Sequence, residues 1–146
     1  MNASTHPFSL FIKAEGAQCN LDCSYCYYLN RQDVDKRSSM PQCMMEQVVH
    51  SHIEAQPAQA TQVDFIWHGG EPMLRGLAFY QSAVAVQQSK KVNKQIVNTM
   101  QTNGTLINDR WASFFAQHDF MLGISIDGPN PFTDWLQSEI TALIQP

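Results

Sequence analysis

Long apolar runs are missing from this 146-residue sequence. No uninterrupted stretch approaches the roughly 18 apolar residues that cross a bilayer. Residues 1–9 also lack a charged segment that leads into an apolar stretch of signal-peptide length. We therefore expect a cytoplasmic protein that has no membrane partner.

Charge is also scarce, because only 15% of the residues are charged and the formal net charge is -4. The nearest approach to a basic run is 90–94, where Val92 and Asn93 interrupt the lysines. This run is too short for a nucleic-acid-binding stripe, so we expect no nucleic-acid partner. A hydrophobic content of 44% predicts one folded domain.

Only four cysteines are present, and three of them, Cys19, Cys23 and Cys26, lie within eight residues. Disulfide frameworks join distant loops, and such close spacing instead favours a shared metal in a reducing compartment. The fourth, Cys43, lies in a predicted helix, where a lone cysteine is typical of a small core residue.

Short β-rich runs alternate with helical segments along the chain. Strands are predicted at 8–13, 63–67, 95–100 and 121–126, and helices at 41–56, 77–90, about 108–117 and about 132–144. This alternation predicts an α/β fold of about four βα units with right-handed crossovers and a parallel sheet. Loops that follow the strands then gather at one edge, where ligands bind in such folds.

The helix predicted at 41–56 begins with Pro41, which is favoured at a helix start. Apolar side chains and one histidine recur at near-helical spacing, which predicts a buried face formed by Met44, Val48, Val49, His52 and Ile53.

The cysteine loop offers three thiolates with spacings of four and three residues. Three thiolates on a [4Fe-4S] cubane leave one iron without a protein ligand, and that iron can bind a substrate or cofactor. The alternative is a zinc site, which usually needs four protein ligands. Cys43 or a histidine would then be the fourth ligand.

Three further loops follow predicted strands. In 69–72, two glycines permit close backbone approach, and Glu71 offers a carboxylate or a local cap. In 101–105, side-chain amides lie at the same edge, and strand alternation places Ser125 and Asp127 on one face. Each loop alone is also compatible with an ordinary turn. Together with the cysteines they indicate a ligand site.

These loops resemble those of the radical S-adenosylmethionine (SAM) superfamily, whose hallmark is Cys-x3-Cys-x2-Cys after the first strand of a partial (β/α) TIM-like barrel. The motifs Trp-His-Gly-Gly-Glu-Pro, Gln-Thr-Asn-Gly-Thr-Leu-Ile and Ser-Ile-Asp-Gly-Pro make the chain similar to anaerobic sulfatase-maturating enzymes from about residue 10 to 129. The resemblance implies that Cys19, Cys23 and Cys26 bind the cluster. It implies SAM contacts from Tyr25, Gly69, Gly70, Glu71, Gln101, Asn103 and Ser125.

The resemblance also implies an activity. In that family the amino and carboxylate groups of SAM chelate the open iron. An electron from the reduced cluster then cleaves a carbon–sulfur bond of SAM, which gives methionine and a 5′-deoxyadenosyl radical that abstracts hydrogen from substrate. In such enzymes a cysteine or serine of a client sulfatase becomes formylglycine. The implied partners are the sulfatase or a peptide substrate and a reducing electron donor such as flavodoxin or ferredoxin. No catalytic side chain of the chain is assigned.

The resemblance ends after Pro129. The family pattern continues with a stretch that contains His and Arg, whereas 130–146 contain no Arg, His or Cys. We therefore expect residues 1–146 to be a truncated radical SAM core, without the later barrel units and the auxiliary-cluster domain, and inactive by itself. A maturase of another peptide, a simple [4Fe-4S] electron carrier and a non-functional remnant are the alternatives.

Overall fold

A computed structural model describes residues 4–28, 39–90 and 93–126. The strands form one four-stranded sheet in the order β1-β2-β3-β4. The strands are β1 (Leu10–Lys13), β2 (Gln62–His68), β3 (Gln95–Thr102) and β4 (Met121–Ile124). All three pairings are parallel, so the predicted α/β fold with four parallel strands is confirmed.

Three helices connect the strands: α1 (Gln42–Ala55), α2 (Leu77–Ser89) and α3 (Asp109–Gln117). Asn108 caps α3, because its side chain accepts from the backbone N–H groups of Arg110 and Trp111. A short 3-10 helix, Pro72–Arg75, precedes α2. Within the described residues, no helix is both long and apolar enough to cross a membrane. The helix predicted at 132–144 lies outside the described residues.

One face of the sheet packs against the helices and forms the core. Alternation along β2 buries Phe65 and Trp67, whose rings stack on each other. Trp67 also contacts Tyr80 of α2, and Trp111 of α3 extends the same cluster. The opposite face is more open: Phe11 of β1 is 64% exposed and Met121 of β4 is 58% exposed. The core holds the strands in place through one face of the sheet. It therefore also fixes the positions of the strand ends from which the loops start.

Helix α1 differs in detail from its predicted face. Met45, Val49, His52 and Ile53 are buried, whereas Met44 is 49% exposed. The helix turns residues 45, 49 and 52 toward the sheet at spacings of four and three, which leaves position 44 outside that face. Burial lowers the pKa of His52, whose ring contacts the backbone oxygen of Asp64 at 2.9 Å.

Two other expectations were wrong. Cys43 is exposed and is not a small core residue, since it lies on the solvent side of the first turn of α1. Strand β3 continues through Gln101 and Thr102, which were expected in a turn. The added residues pair with β4, where Gln101 stands opposite Gly123 and Thr102 opposite Ile124. The turn therefore begins at Asn103.

Candidate functional site

The cysteine loop leaves the carboxyl end of β1 and carries all three clustered thiols. Cys19, Cys23 and Cys26 are half-buried and form no disulfide. The backbone N–H of Cys26 donates to the carbonyl of Cys23 at 2.9 Å, which folds the loop into a turn between these two residues. Tyr25, inside that turn, is 67% exposed.

The glycine loop after β2 runs alongside the cysteine loop. The N–H of Gly70 donates to the carbonyl of Gly16 at 2.9 Å, and the N–H of Glu71 donates to that of Gln18 at 2.6 Å. At Gly70 an added Cβ would overlap the carbonyl of Gln18. Only glycine permits this approach. Close backbone approach is the role that the sequence predicted for the glycines of this loop. Gly69 is also buried.

Glu71 joins the glycine loop to the end of β3. Its side chain is fully buried at 0% exposure. One carboxylate oxygen accepts from the backbone N–H of Met73 at 2.9 Å and from the hydroxyl of Thr102 at 2.8 Å. The other accepts from the backbone N–H of Asn103 at 2.8 Å. The predicted local cap is thus present, and it also ties two loops together.

Asn103 reaches the cysteine loop from the end of β3. Its side-chain nitrogen lies 3.6 Å from the sulfur of Cys19 and 2.9 Å from the side-chain oxygen of Asn20. The amide of Asn20 in turn donates to the hydroxyl of Thr105 at 2.8 Å. The cysteine loop and the loop after β3 are therefore joined by hydrogen bonds around Cys19.

Gln101 and Ser125 meet at the next pair of strands. The amide of Gln101 donates to the hydroxyl of Ser125 at 2.9 Å, and both side chains retain exposed surface. Ser125 lies just beyond β4, where its N–H donates to the carbonyl of Thr102 at 2.9 Å. Asp127, expected on the same face, lies outside the described residues.

Lys13, Tyr28 and His68 form a second polar group at this edge, which was not among the site residues predicted from the sequence. The ammonium of Lys13 lies 4.9 Å from the centre of the Tyr28 ring. The Tyr28 hydroxyl lies 3.5 Å from Nδ1 of His68, which accepts from the N–H of Gly69 at 2.7 Å. Lys13 and His68 are the last residues of β1 and β2, and Tyr28 follows Cys26 by two positions, so their places in the sequence are the signal that could have identified them.

The three cysteine thiolates and the N–H groups that point to them suit an iron–sulfur cluster. Besides Asn103, the backbone N–H of Leu21 points to the sulfur of Cys19 at 3.4 Å, and such donors stabilise a thiolate. In the part of the chain that the structure describes, no three His, Cys, Asp or Glu side chains surround one metal ion. A cubane differs from a single ion in this respect, because each thiolate binds a different iron.

The family model of the radical SAM superfamily matches residues 16–142. The chain belongs to the radical SAM superfamily. Membership implies a [4Fe-4S] cluster and SAM as cofactors, and it agrees with the motifs from which the resemblance was first drawn.

Anaerobic sulfatase-maturating enzymes are among the curated relatives. A serine-type enzyme of Klebsiella aerogenes is 43% identical over 130 residues, which cover 88% of this chain and 32% of the relative. A cysteine-type enzyme of Clostridium perfringens is 37% identical over 125 residues, covering 84% and 34%. This radical SAM chain thus spans about a third of the length of the curated relatives that it matches.

Solved structures show the same fold. Native anSMEcpe with bound AdoMet superposes with a TM-score of 0.83 and 31% identity, over 94% of this chain and 40% of that one. Native anSMEcpe with bound AdoMet and Cp18Cys peptide gives a TM-score of 0.81 and 30% identity, with the same coverage. The predicted barrel-type radical SAM fold is confirmed.

Proposed function

We propose that Cys19, Cys23 and Cys26 hold a [4Fe-4S] cluster with one open iron, to which SAM binds. The observation that carries this proposal is the hydrogen-bonded junction of three loops at one sheet edge. The glycine loop and the loop after β3 both contact the cysteine loop directly. Such a junction presents thiolates, backbone amides and side-chain amides to one place.

The chain's own groups would bind and orient SAM. Gly69 and Gly70 bring backbone without side chains next to the cysteine loop, while Gln101 and Ser125 offer an amide and a hydroxyl with exposed surface. Tyr25 presents an exposed ring beside the third cysteine. When bound, the cluster supplies the electron that cleaves SAM to methionine and a 5′-deoxyadenosyl radical.

Glu71 supports the residues that contact SAM in this proposal and does not contact SAM itself. Its carboxylate is fully buried, and its oxygens accept three hydrogen bonds from the protein. A carboxylate in this state orients the loops that carry the other groups. Glu71 therefore contributes to SAM binding through the position of Asn103 and of the glycine loop.

For the whole protein we propose oxidation of a cysteine or serine in a client sulfatase to formylglycine. The support is the similarity to serine-type and cysteine-type maturating enzymes, and to a solved relative that holds a peptide. The polar group of Lys13, Tyr28 and His68 lies at the same edge, where such a peptide would be held. An electron donor such as flavodoxin or ferredoxin would complete the system.

Alanine at any one of the three clustered cysteines is expected to remove most of the cluster, because each thiolate binds its own iron. The measurement is iron and sulfide content after anaerobic reconstitution of the full chain. Cys43→Ala is the matched control, since Cys43 is exposed on α1, and it should retain the wild-type content of about four irons per chain. Loss of iron from Cys43→Ala, equal to that from the triplet, would contradict the assignment.

A further inference from the structure

The orientation of the Asn103 amide is fixed by its neighbours. Its oxygen accepts from the backbone N–H of Thr105 at 3.0 Å and from the Thr105 hydroxyl at 2.7 Å. A backbone N–H can only donate, so the atom that it meets must be the oxygen. The amide nitrogen therefore faces the sulfur of Cys19 and the side-chain oxygen of Asn20.

We propose that Asn103 is a positioning residue that donates an N–H···S hydrogen bond to the Cys19 thiolate and thereby raises the reduction potential of the cluster. The proposal rests on the proposed function, because it requires Cys19 to be a cluster ligand. It gives Asn103 a role toward the cluster, in addition to the SAM contact that the family resemblance implies.

The physical basis is the charge on the sulfur. A ligating thiolate has no proton, so its sulfur can only accept hydrogen bonds, and the Asn103 nitrogen at 3.6 Å is a donor from a different loop. Reduction adds negative charge to the cluster and its sulfurs. A donor stabilises the reduced state more than the oxidised one, and hydrogen bonds to the sulfurs are a recognised determinant of cluster potential.

The donor is also held in place. The backbone N–H of Asn103 is bound by the fully buried carboxylate of Glu71 at 2.8 Å, and Thr105 holds the side-chain oxygen. The amide consequently has little freedom to turn away from Cys19. Such support of a ligand by a fixed neighbour commonly tunes a metal site.

The test is an anaerobic redox titration of the reconstituted full chain without SAM, followed by electron paramagnetic resonance. Asn103→Leu keeps a neutral side chain of similar size and removes the donor. We expect a midpoint shift to more negative potential of about 30 mV, which corresponds to about threefold in a one-electron equilibrium. Thr105→Val, which removes one of the two bonds to the Asn103 oxygen, should shift the potential in the same direction but by less.

Asn93→Leu is the matched control, because it makes the same change at an exposed position before the opposite end of β3. Its potential should equal that of the wild type. If Asn103→Leu binds a full cluster and keeps the wild-type potential, the inference is overturned and the proposed function stands. If Asn103→Leu loses its cluster, an unchanged potential in Thr105→Val overturns the inference. A wild-type chain that binds no cluster overturns both.

Discussion

Glu71→Ala is expected to lower the free energy of unfolding by about 3 kcal/mol or more, since it removes a buried carboxylate that accepts from three donors. Those donors are the N–H groups of Met73 and Asn103 and the hydroxyl of Thr102. The measurement is equilibrium denaturation of the full chain. The same variant should also bind less iron, because the loops after β2 and β3 lose their connection.

Two further variants separate these effects. Glu71→Gln keeps the shape and one acceptor oxygen but places an amide opposite the N–H of Asn103, so its destabilisation should be smaller than that of alanine. Glu46→Ala is a matched control on α1, where the removed carboxylate accepts one exposed hydrogen bond from Gln42. Equal stability of Glu71→Ala and Glu46→Ala would show that the buried carboxylate does not join the loops.

Gly70→Ala is expected to abolish most of the cluster binding. Its Cβ would overlap the carbonyl of Gln18, which is a rigid backbone group, so the glycine loop must move away from the cysteine loop. The hydrogen bonds from Gly70 and Glu71 to Gly16 and Gln18 would break with that movement. Iron content after reconstitution measures the loss of cluster binding. Circular dichroism of the same sample measures the change in backbone structure.

Gly76→Ala is the control variant for Gly70→Ala. Gly76 has a positive φ of 82° but open space around its Cβ position, so alanine there introduces backbone strain without overlap. That strain is of order 1–3 kcal/mol. We expect Gly76→Ala to be less stable than the wild type yet to retain its cluster. A Gly70→Ala protein with full iron content would show that the loops do not need their close approach.

The order of elements was predictable because it depends on local patterns. Alternation along β2 and the cap at Asn108 are short-range signals, and the structure has both. The end of β3 was not predictable in this way. Gln101 and Thr102 are polar and precede Asn-Gly, which is typical of a turn, but pairing with Gly123 and Ile124 of β4 keeps them in the strand.

The candidate site likewise combines features that have a local sequence pattern with features that depend on the tertiary fold. The cysteine triplet and the glycine loop are contiguous motifs, so the residue types could be read directly. The bond from Asn103 to Cys19 joins residues 84 positions apart, and the bonds from Thr102 and Asn103 to Glu71 join residues 31 and 32 positions apart. The contact between Tyr28 and His68 likewise joins the cysteine loop to the end of β2. Such contacts follow from the tertiary fold and carry no local pattern.

The central claim is that the three thiolates leave one iron open for SAM. The most direct measurement is the electron paramagnetic resonance spectrum of the reduced, reconstituted full chain, recorded with and without SAM. We predict that SAM changes the spectrum of the cluster, because it becomes a ligand of the open iron. A cluster whose spectrum is identical with and without SAM would contradict the account and would support a simple electron carrier.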